Sequence, residues 1–273
     1  MLVFPNAKLN LGLYVTQRRP DGFHNLESVF IPLPWTDALE ILPVAPGQPT
    51  SITLTGRPIP GDPATNLCVR AYELLQADFP QLPPAQLYLH KIVPIGAGLG
   101  GGSADAAFAL KATNDLFSLN LSAEALEKYA RRLGSDCAFF IRNKPVLAVE
   151  KGDVFEEINL NLAGTACVVV YPNLHIGTAE AYSRIVPQQP QFPLREAIAQ
   201  SMNTWRGTVS NDFETALTPA HPVLAEIKQQ LYEAGATYAS LSGSGSAVYG
   251  LWETGEPAAL SWPAEYTVWQ GVL

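Results

Sequence analysis

Residues 94–104 of the chain read Pro94-Ile95-Gly96-Ala97-Gly98-Leu99-Gly100-Gly101-Gly102-Ser103-Ala104, with five glycines in seven positions. A strand is predicted just before this segment, over Leu87 to Val93, and an alanine-rich helix just after it, with Ser103 as its N-cap. Glycine lets the backbone adopt positive φ angles and approach a ligand closely. The N-terminus of the following helix adds free N–H groups and partial positive charge, so the segment predicts a phosphate-binding turn.

Two known nucleotide-binding motifs match this segment only in part. A Rossmann site fits Gly96-x-Gly98-x-x-Gly101, but the turn lies in mid-chain, and the acidic candidate Asp115 follows without an intervening second strand. A Walker A loop requires a lysine where this chain has Gly102, so that motif is set aside. A purely structural turn, in which the glycines only permit tight packing, is the remaining alternative.

Length and charge restrict the class of protein. The 273 residues carry a formal net charge of -8 and are 47% hydrophobic, which indicates a globular chain with one large domain or two moderate ones. An acidic chain without a basic surface is not expected to bind nucleic acid. No apolar run approaches the about 20 residues of a membrane span, and the N-terminus lacks the pattern of a signal peptide. We therefore predict a cytoplasmic protein with no membrane partner.

The pattern of strands and helices predicts an α+β fold. Leucines alternate with polar residues over Lys8 to Thr16, which predicts a strand with Lys8 and Asn10 on the face opposite the leucines. Strands and helices mix without regular βαβ alternation. A boundary near residue 150 would give an N-terminal domain, 1–150, and a C-terminal domain, 151–273. The other predicted elements are the helix Ser122 to Leu133 with Gly134 at C′, the buried strand Ala166 to Tyr171, the helix Pro222 to Ala234 followed by Gly235, and the strands Thr237 to Leu241 and Ala247 to Trp252.

Three motifs together resemble the GHMP kinase family. The glycine segment resembles the family's ATP-phosphate motif, Pro5-Asn6-Ala7-Lys8-Leu9-Asn10-Leu11 its N-terminal motif, and Leu241-Ser242-Gly243-Ser244-Gly245-Ser246-Ala247 its C-terminal glycine motif. They occur in the expected order along the chain. The resemblance implies a two-domain α+β fold with the active site in the interdomain cleft, and transfer of a phosphoryl group from ATP, with Mg²⁺, to a hydroxyl group.

Further segments resemble those family members that act on a cytidine diphosphate-linked alcohol. These segments are Asp21-Gly22-Phe23-His24, Leu133-Gly134-Ser135-Asp136 and Ser210-Asn211-Asp212-Phe213-Glu214. The resemblance implies that this small molecule and ATP are the partners of a monomer or homodimer. Phe23 stands where many members carry tyrosine, so a hydrogen bond from that hydroxyl is absent here.

The resemblance also implies a role for individual residues. Lys8 would neutralise charge beside the reacting hydroxyl, and Asp136 would accept its proton. The substrate would contact Asn10, Phe23, His24 and Tyr182, with two rings enclosing the cytosine. The ATP set would be residues 94–104 together with Asn66 and Lys91. No residue is assigned as a metal ligand.

Other interpretations of these residues stay open at this point. Lys8 could be a solvated strand lysine, Asp136 an N-cap of the next short turn, and Tyr182 a core aromatic. The substrate could be that of another GHMP kinase, of the mevalonate or homoserine type. A non-catalytic nucleotide-binding protein is the alternative from another class.

Overall fold

A computed structural model describes residues 1–255, 257 and 260–273. Strands and helices are mixed, so the predicted α+β class is confirmed. The residues fall into two compact units. The first unit contains residues 1–7, 35–95 and 100–144, and the second contains residues 8–34, 96–99 and 145–273. The division at residue 150 stays a prediction about the two halves of the sequence.

The first unit contains a four-stranded sheet with the strand order β1-β4-β6-β5. Its strands are β1 (Leu2–Val3), β4 (Ala38–Pro43), β5 (Ser51–Gly56) and β6 (Ala85–Lys91). Strand β6 pairs antiparallel with β4 and parallel with β5. The predicted strand over Leu87 to Val93 is therefore confirmed, although the observed strand β6 begins and ends two residues earlier than predicted.

Four α-helices complete the first unit: α1 (Leu67–Asp78), α2 (Gly101–Leu116), α3 (Ala123–Arg131) and α4 (Phe139–Arg142). A short 3₁₀ helix precedes α1 at Pro63–Thr65. Helix α2 packs on β1 and β4, and α1 packs on α2. The alanines of α2 explain this arrangement, because small side chains let the helix lie close to both neighbours.

Two predicted helix ends in this unit are wrong. Helix α2 begins at Gly101 and its N-cap is Gly100, with a left-handed φ of 69°, so Ser103 lies inside the first turn. A glycine can start the helix here because it accepts that φ without strain. Helix α3 has Ser122 as its N-cap, as predicted, but its C-cap is Arg132, so Gly134 lies one position beyond C′.

Among its described residues, the second unit holds two further sheets, of strand orders β2-β3-β7-β8 and β10-β11-β9-β12. The first of these has most of β2 (Asn6–Arg18) and β3 (His24–Thr36), with β7 (Val146–Val149) and β8 (Val154–Glu157). The second is formed by β9 (Ala166–Tyr171), β10 (Tyr238–Leu241), β11 (Val248–Trp252) and β12 (Thr267–Val272). The predicted strands in both sheets are confirmed.

Five helices pack in the part of the second unit that the structure describes: α5 (Thr178–Ser183), α6 (Leu194–Ile198), α7 (Met202–Thr208), α8 (Asp212–Leu217) and α9 (Val223–Glu233). Helix α9 covers β10 and β11. Its Leu224, Ile227 and Leu231 are buried in one apolar cluster, as their helical spacing predicts. Gly235 follows the C-cap of α9 with a φ of 89° and ends the helix as predicted.

None of the helices within the described ranges is both long and apolar enough to cross a bilayer.

Replacing the buried Leu231 by alanine is expected to cost about 2–5 kcal/mol of unfolding free energy, because it leaves a cavity beneath α9. Gln230 lies on the exposed side of the same helix. Gln230→Ala is therefore the matched control and should change stability by less than about 0.5 kcal/mol. Urea unfolding of both variants measures the difference. Equal unfolding midpoints for Leu231→Ala and the parent would contradict the described core.

Candidate active site

The backbone of the glycine segment has the conformation that its glycines were expected to permit. Gly96, Gly98 and Gly100 have φ angles of 67°, 78° and 69°. Every second residue is therefore left-handed, a conformation that costs other L-residues roughly 1–2 kcal/mol. The segment turns sharply after β6 and enters helix α2.

Three carbonyl groups of the turn are held by the second unit. The carbonyl oxygen of Ala97 accepts from the N–H of Ala247 at 3.0 Å, and that of Leu99 accepts from the N–H of Lys8 at 2.9 Å. The hydroxyl of Ser242 donates to the carbonyl oxygen of Gly98 at 2.9 Å. The glycine turn, the N-terminal motif and the C-terminal glycine motif therefore meet through direct hydrogen bonds.

These three bonds set the direction of the amide groups that follow. In a trans peptide the C=O and the N–H point to opposite sides. Since the carbonyls of residues 97–99 face the protein, the N–H groups of residues 98–100 point away from these partners. The next three N–H groups, of residues 101–103, precede the first bond of helix α2, in which Ala104 donates to Gly100 at 2.9 Å. Successive donors of this kind form an anion-binding surface.

The space around two glycines differs sharply. A Cβ atom on Gly98 would lie 1.9 Å from the carbonyl oxygen of Ser242, so no side chain fits there. A Cβ atom on Gly102 would meet nothing within 4 Å, and Gly102 is exposed. Tight packing accounts for Gly98, whereas Gly102 keeps the surface of the helix N-terminus open. The purely structural alternative for the glycines therefore leaves Gly102 unexplained.

Lys8 is buried, at 4% exposure, so its interpretation as a solvated strand lysine is wrong. Its ammonium donates to the side-chain oxygen of Asn10 and lies 4.6 Å from the ring centre of Phe30. Asn10 in turn donates to the hydroxyl of Ser28 at 2.8 Å. Strand β2 is buried on both faces from Asn6 to Tyr14, so the face opposite the leucines, which carries Lys8, is not in solvent either.

Asp136 belongs to the first unit and lies in the turn between α3 and α4. The N-cap of α4 is Ala138, so the alternative role of Asp136 as that N-cap is wrong. The hydroxyl of Ser135 donates to the Asp136 carboxylate at 3.4 Å. Burial raises the pKa of the neighbouring Cys137 thiol to about 11, while a hydrogen bond with Ser103 lowers it. That bond links the turn carrying Asp136 to the first turn of α2.

The predicted base-binding residues lie in the second unit, where two of them are in contact. The rings of His24 and Tyr182 stack with centroids 4.9 Å apart and an angle of 26°. Tyr182 also packs edge-on against Phe213 at 5.0 Å, so it is partly a core aromatic. Phe23 is 60% exposed, with the Lys151 ammonium 5.3 Å from its ring centre. Desolvation and the charge of Arg18 lower the pKa of His24, so its ring is neutral near pH 7.

The two remaining predicted ATP residues make structural contacts in the first unit. Asn66 is the N-cap of α1, where its side-chain oxygen accepts from the N–H of Cys68 at 2.9 Å. The ammonium of Lys91 is 2% exposed and forms ion pairs with Asp37 at 2.5 Å and Asp105 at 2.6 Å. Their roles toward ATP stay predictions.

The side chains that could act as metal ligands are relevant to the predicted Mg²⁺ ion. Within the described ranges, no three His, Cys, Asp or Glu side chains are grouped so that they could hold a metal ion. Mg²⁺ keeps several waters and binds through substrate phosphates with only one or two carboxylates. The Mg²⁺ ion implied by the resemblance stays a prediction, and no residue is assigned to it.

Two sequence profiles match the chain: GHMP kinases N terminal domain over residues 66–144, and GHMP kinases C terminal over residues 193–266. The chain therefore belongs to the GHMP kinase family, and it is a kinase that uses ATP. The family and the two-domain fold suggested by the three sequence motifs are confirmed.

Individual relatives are similar to the chain over most of its length. The chain is 50% identical over 257 residues to the 4-diphosphocytidyl-2-C-methyl-D-erythritol kinase of Bacteroides fragilis, covering 94% of this chain and 93% of the relative. It is 47% identical over 255 residues to the enzyme of the same name from Cytophaga hutchinsonii, covering 93% of each. A crystal structure of 4-(cytidine 5'-diphospho)-2C-methyl-D-erythritol kinase superposes with a TM-score of 0.77 at 32% identity, covering 92% of this chain and 90% of that chain.

Two residues that hold the site together received no individual role in the sequence analysis. Ser28 connects Asn10 to the carbonyl oxygen of Gly12, to which it donates at 2.7 Å. Asn211 donates to the carbonyl oxygens of Leu241 and Gly243, at 2.9 and 2.8 Å, and so supports the C-terminal glycine motif. Asn211 lies in the Ser210 to Glu214 segment that resembles the family, and that resemblance was the available signal for it. Ser28 follows Glu27 and carries no comparable signal in the sequence.

Alanine substitutions at the two contrasting glycines should separate packing from ligand access. Gly98→Ala is expected to destabilise the protein by at least about 2 kcal/mol, because it adds left-handed strain to a clash with Ser242. Gly102→Ala should keep or raise stability by about 0.5–1 kcal/mol, since alanine favours a helix. It should nevertheless weaken ATP binding, because the methyl group occupies the open side of the turn.

Thermal unfolding and titration with a non-hydrolysable ATP analogue measure the two effects. Unchanged analogue affinity in a fully folded Gly102→Ala variant would show that phosphate does not bind at this surface.

Proposed function

We propose that the chain transfers the γ-phosphate of ATP to the 2-hydroxyl of 4-diphosphocytidyl-2-C-methyl-D-erythritol, a step in non-mevalonate isoprenoid precursor synthesis. The single observation that carries the proposal is the joining of three motifs at the glycine turn, through Lys8, Ser242 and Ala247. That arrangement is suited to holding a triphosphate. The proposed substrate is supported by relatives of that name at 50% and 47% identity.

In the proposed complex, the amides of residues 98–103 bind the phosphate oxygens of ATP. Helix α2 adds the positive end of its dipole. Mg²⁺, carried by the phosphates, would neutralise part of their charge. Asn66 and Lys91 are kept in the proposed ATP set, and no protein ligand is assigned to the metal.

The proposed chemistry assigns separate tasks to two side chains. Asp136 accepts the proton of the substrate 2-hydroxyl, whose oxygen then forms a bond to the γ-phosphorus. The bond from that phosphorus to the bridging β–γ oxygen breaks, and its electron pair leaves with ADP. Lys8 neutralises charge on the transferred group while Asn10 fixes the position of its ammonium. Phosphoryl transfer depends mainly on such positioning and charge neutralisation.

The proposed cytosine site uses Phe23, His24 and Tyr182. Because His24 stacks on Tyr182, the base would displace the His24 ring and take its place against Tyr182. The neutral imidazole then offers one donor and one acceptor to the base edge. Phe23, which is exposed, would cover the other face. Mevalonate and homoserine contain no cytosine, so a kinase for either substrate would not need these three side chains together.

Removing the base or the cation should lower kcat strongly with little change in ATP affinity. Asp136→Asn is expected to lower kcat by about 10²–10⁴-fold, because the hydroxyl loses its proton acceptor. Lys8→Met should lower kcat by about 10²–10³-fold, because charge on the transferred group is no longer neutralised. Coupled ADP release, with mass spectrometry of the product, measures both.

Asp115→Asn and Lys128→Met are matched controls, since both residues are exposed in the first unit. Each should retain parental kcat. Full activity of Asp136→Asn would contradict its proposed role. A parent protein that binds ATP but transfers no phosphoryl group would favour the non-catalytic alternative.

Loss of the stacking ring should affect only the cytidine substrate. Tyr182→Ala is expected to raise its KM by about 5–150-fold, the equivalent of about 1–3 kcal/mol of stacking energy. The KM for ATP should stay unchanged, and CDP should compete with the cytidine substrate in the parent. Initial-rate kinetics with CDP, mevalonate and homoserine in the panel test this. Faster phosphorylation of mevalonate or homoserine, without inhibition by CDP, would identify the rival substrate class.

A further inference from the structure

Three charged side chains are buried together in the first unit: Asp37, Lys91 and Asp105. The Lys91 ammonium lies 2.5 Å from one oxygen of Asp37 and 2.6 Å from one oxygen of Asp105. All three side chains are at most 4% exposed. Buried ion pairs are weak contributors to stability, because desolvation offsets their attraction. The cluster therefore calls for an explanation other than stability alone.

The three members of the cluster come from different segments next to the glycine turn, and Asp37 also binds the backbone there. Asp37 lies between β3 and β4, and its second carboxylate oxygen accepts from the N–H groups of Ile92 at 2.5 Å and Val93 at 2.8 Å. These are the last residues before Pro94 begins the turn. Asp105 lies on helix α2, one turn after the helix begins. Lys91 links the two carboxylates.

The two ends of the turn approach each other at this cluster. A Cβ atom on Gly101 would lie 2.9 Å from the Lys91 ammonium and 3.2 Å from a methyl carbon of Val93. The chain therefore enters the turn at Val93 and leaves it at Gly101 within contact distance. A fixed separation of its ends restricts the conformations of the turn between them.

We infer that Asp37, Lys91 and Asp105 are positioning residues for the phosphate-binding turn: they clamp its two ends together and thereby orient the amides that bind ATP. This inference rests on the proposed function, because it assumes that the turn binds the triphosphate. Amides that are oriented before binding lose less entropy when the nucleotide arrives.

The charge of the cluster gives the inference a second readout. Two carboxylates share one ammonium, so the net charge is negative when both are ionised and zero when one is protonated. Burial raises the pKa of Asp105 to about 7, against the attraction of Lys91 and with a further rise from Asp37. The Cys68 thiol of α1 also faces the cluster, and burial raises its pKa well above the ordinary value, so it stays neutral. Raising the pH through neutrality thus adds negative charge beneath the helix N-terminus.

Asp105→Asn should remove that titration while keeping the shape of the side chain. The KM for ATP of the parent, divided by that of Asp105→Asn, should be about two- to tenfold larger at about pH 8 than at about pH 6. Taking the ratio cancels the titration of ATP itself. The thermal midpoint of the parent should also fall relative to that of the variant over this range, because a carboxyl with a raised folded-state pKa loses stability as pH rises.

Asp37→Asn should raise the KM for ATP by about tenfold, because an amide cannot accept from the Lys91 ammonium and from both backbone N–H groups. The KM for the acceptor should change by less than about twofold. Tyr72→Phe is the matched control: it removes a partly buried hydrogen bond in the same unit, from the Tyr72 hydroxyl to the carbonyl oxygen of Pro83 at 2.5 Å. It should lower the thermal midpoint and leave the KM for ATP unchanged.

Calorimetric titration with a non-hydrolysable ATP analogue, beside initial-rate kinetics on folded protein, distinguishes the outcomes. If both Asp variants keep the parental KM for ATP at both pH values, while the thermal midpoint falls as in Tyr72→Phe, the cluster is structural only and the inference is wrong. If the parent neither binds the analogue nor transfers a phosphoryl group, the proposed function is wrong. The inference is then wrong as well, because it depends on that function.

Discussion

The structure of the site depends on one constraint: the carbonyl groups of the glycine turn must face the protein. Ala247, Ser242 and Lys8 each supply a donor for one of the three consecutive carbonyls of residues 97–99. A peptide plane that points its oxygen inward points the next N–H outward. An acidic protein can in this way offer donors to a polyanion without placing a row of lysines on its surface. The positive φ angles at Gly96, Gly98 and Gly100 are the conformational requirement for this arrangement.

The same constraint explains why the polar residues around the turn are buried. Asn10 receives a hydrogen bond from Lys8, donates to Ser28, and accepts at its carbonyl oxygen from the Tyr249 hydroxyl at 2.8 Å. Ser242 accepts from the N–H of Asn10 at 3.3 Å while it donates to Gly98. A fully satisfied network of this kind fixes one geometry, because each unpaired buried group would carry a large desolvation cost. The position of the Lys8 ammonium is thus coupled to the position of the turn.

Local patterns in the sequence predicted the elements but not the long-range pairs. Helix α9 and strand β9 follow from helical spacing and from a continuous apolar run, and both signals are local. Asp37 pairs with Lys91 across 54 positions, and no periodicity connects the two residues. The start of α2 was misplaced at Ser103 because a serine is the usual cap, whereas consecutive glycines allowed a left-handed cap at Gly100. The stacking of His24 on Tyr182 also depends on a contact between distant segments, so the sequence could suggest both rings but not their arrangement.

Hydrogen–deuterium exchange with and without a non-hydrolysable ATP analogue tests the central claim most directly, because it reports on the amides themselves. Peptides covering residues 96–103 should exchange more slowly when the analogue is bound, since phosphate oxygens would accept from the N–H groups of the turn and of the first turn of α2. Unchanged exchange in these peptides at saturating analogue, together with protection elsewhere in the chain, would contradict the account.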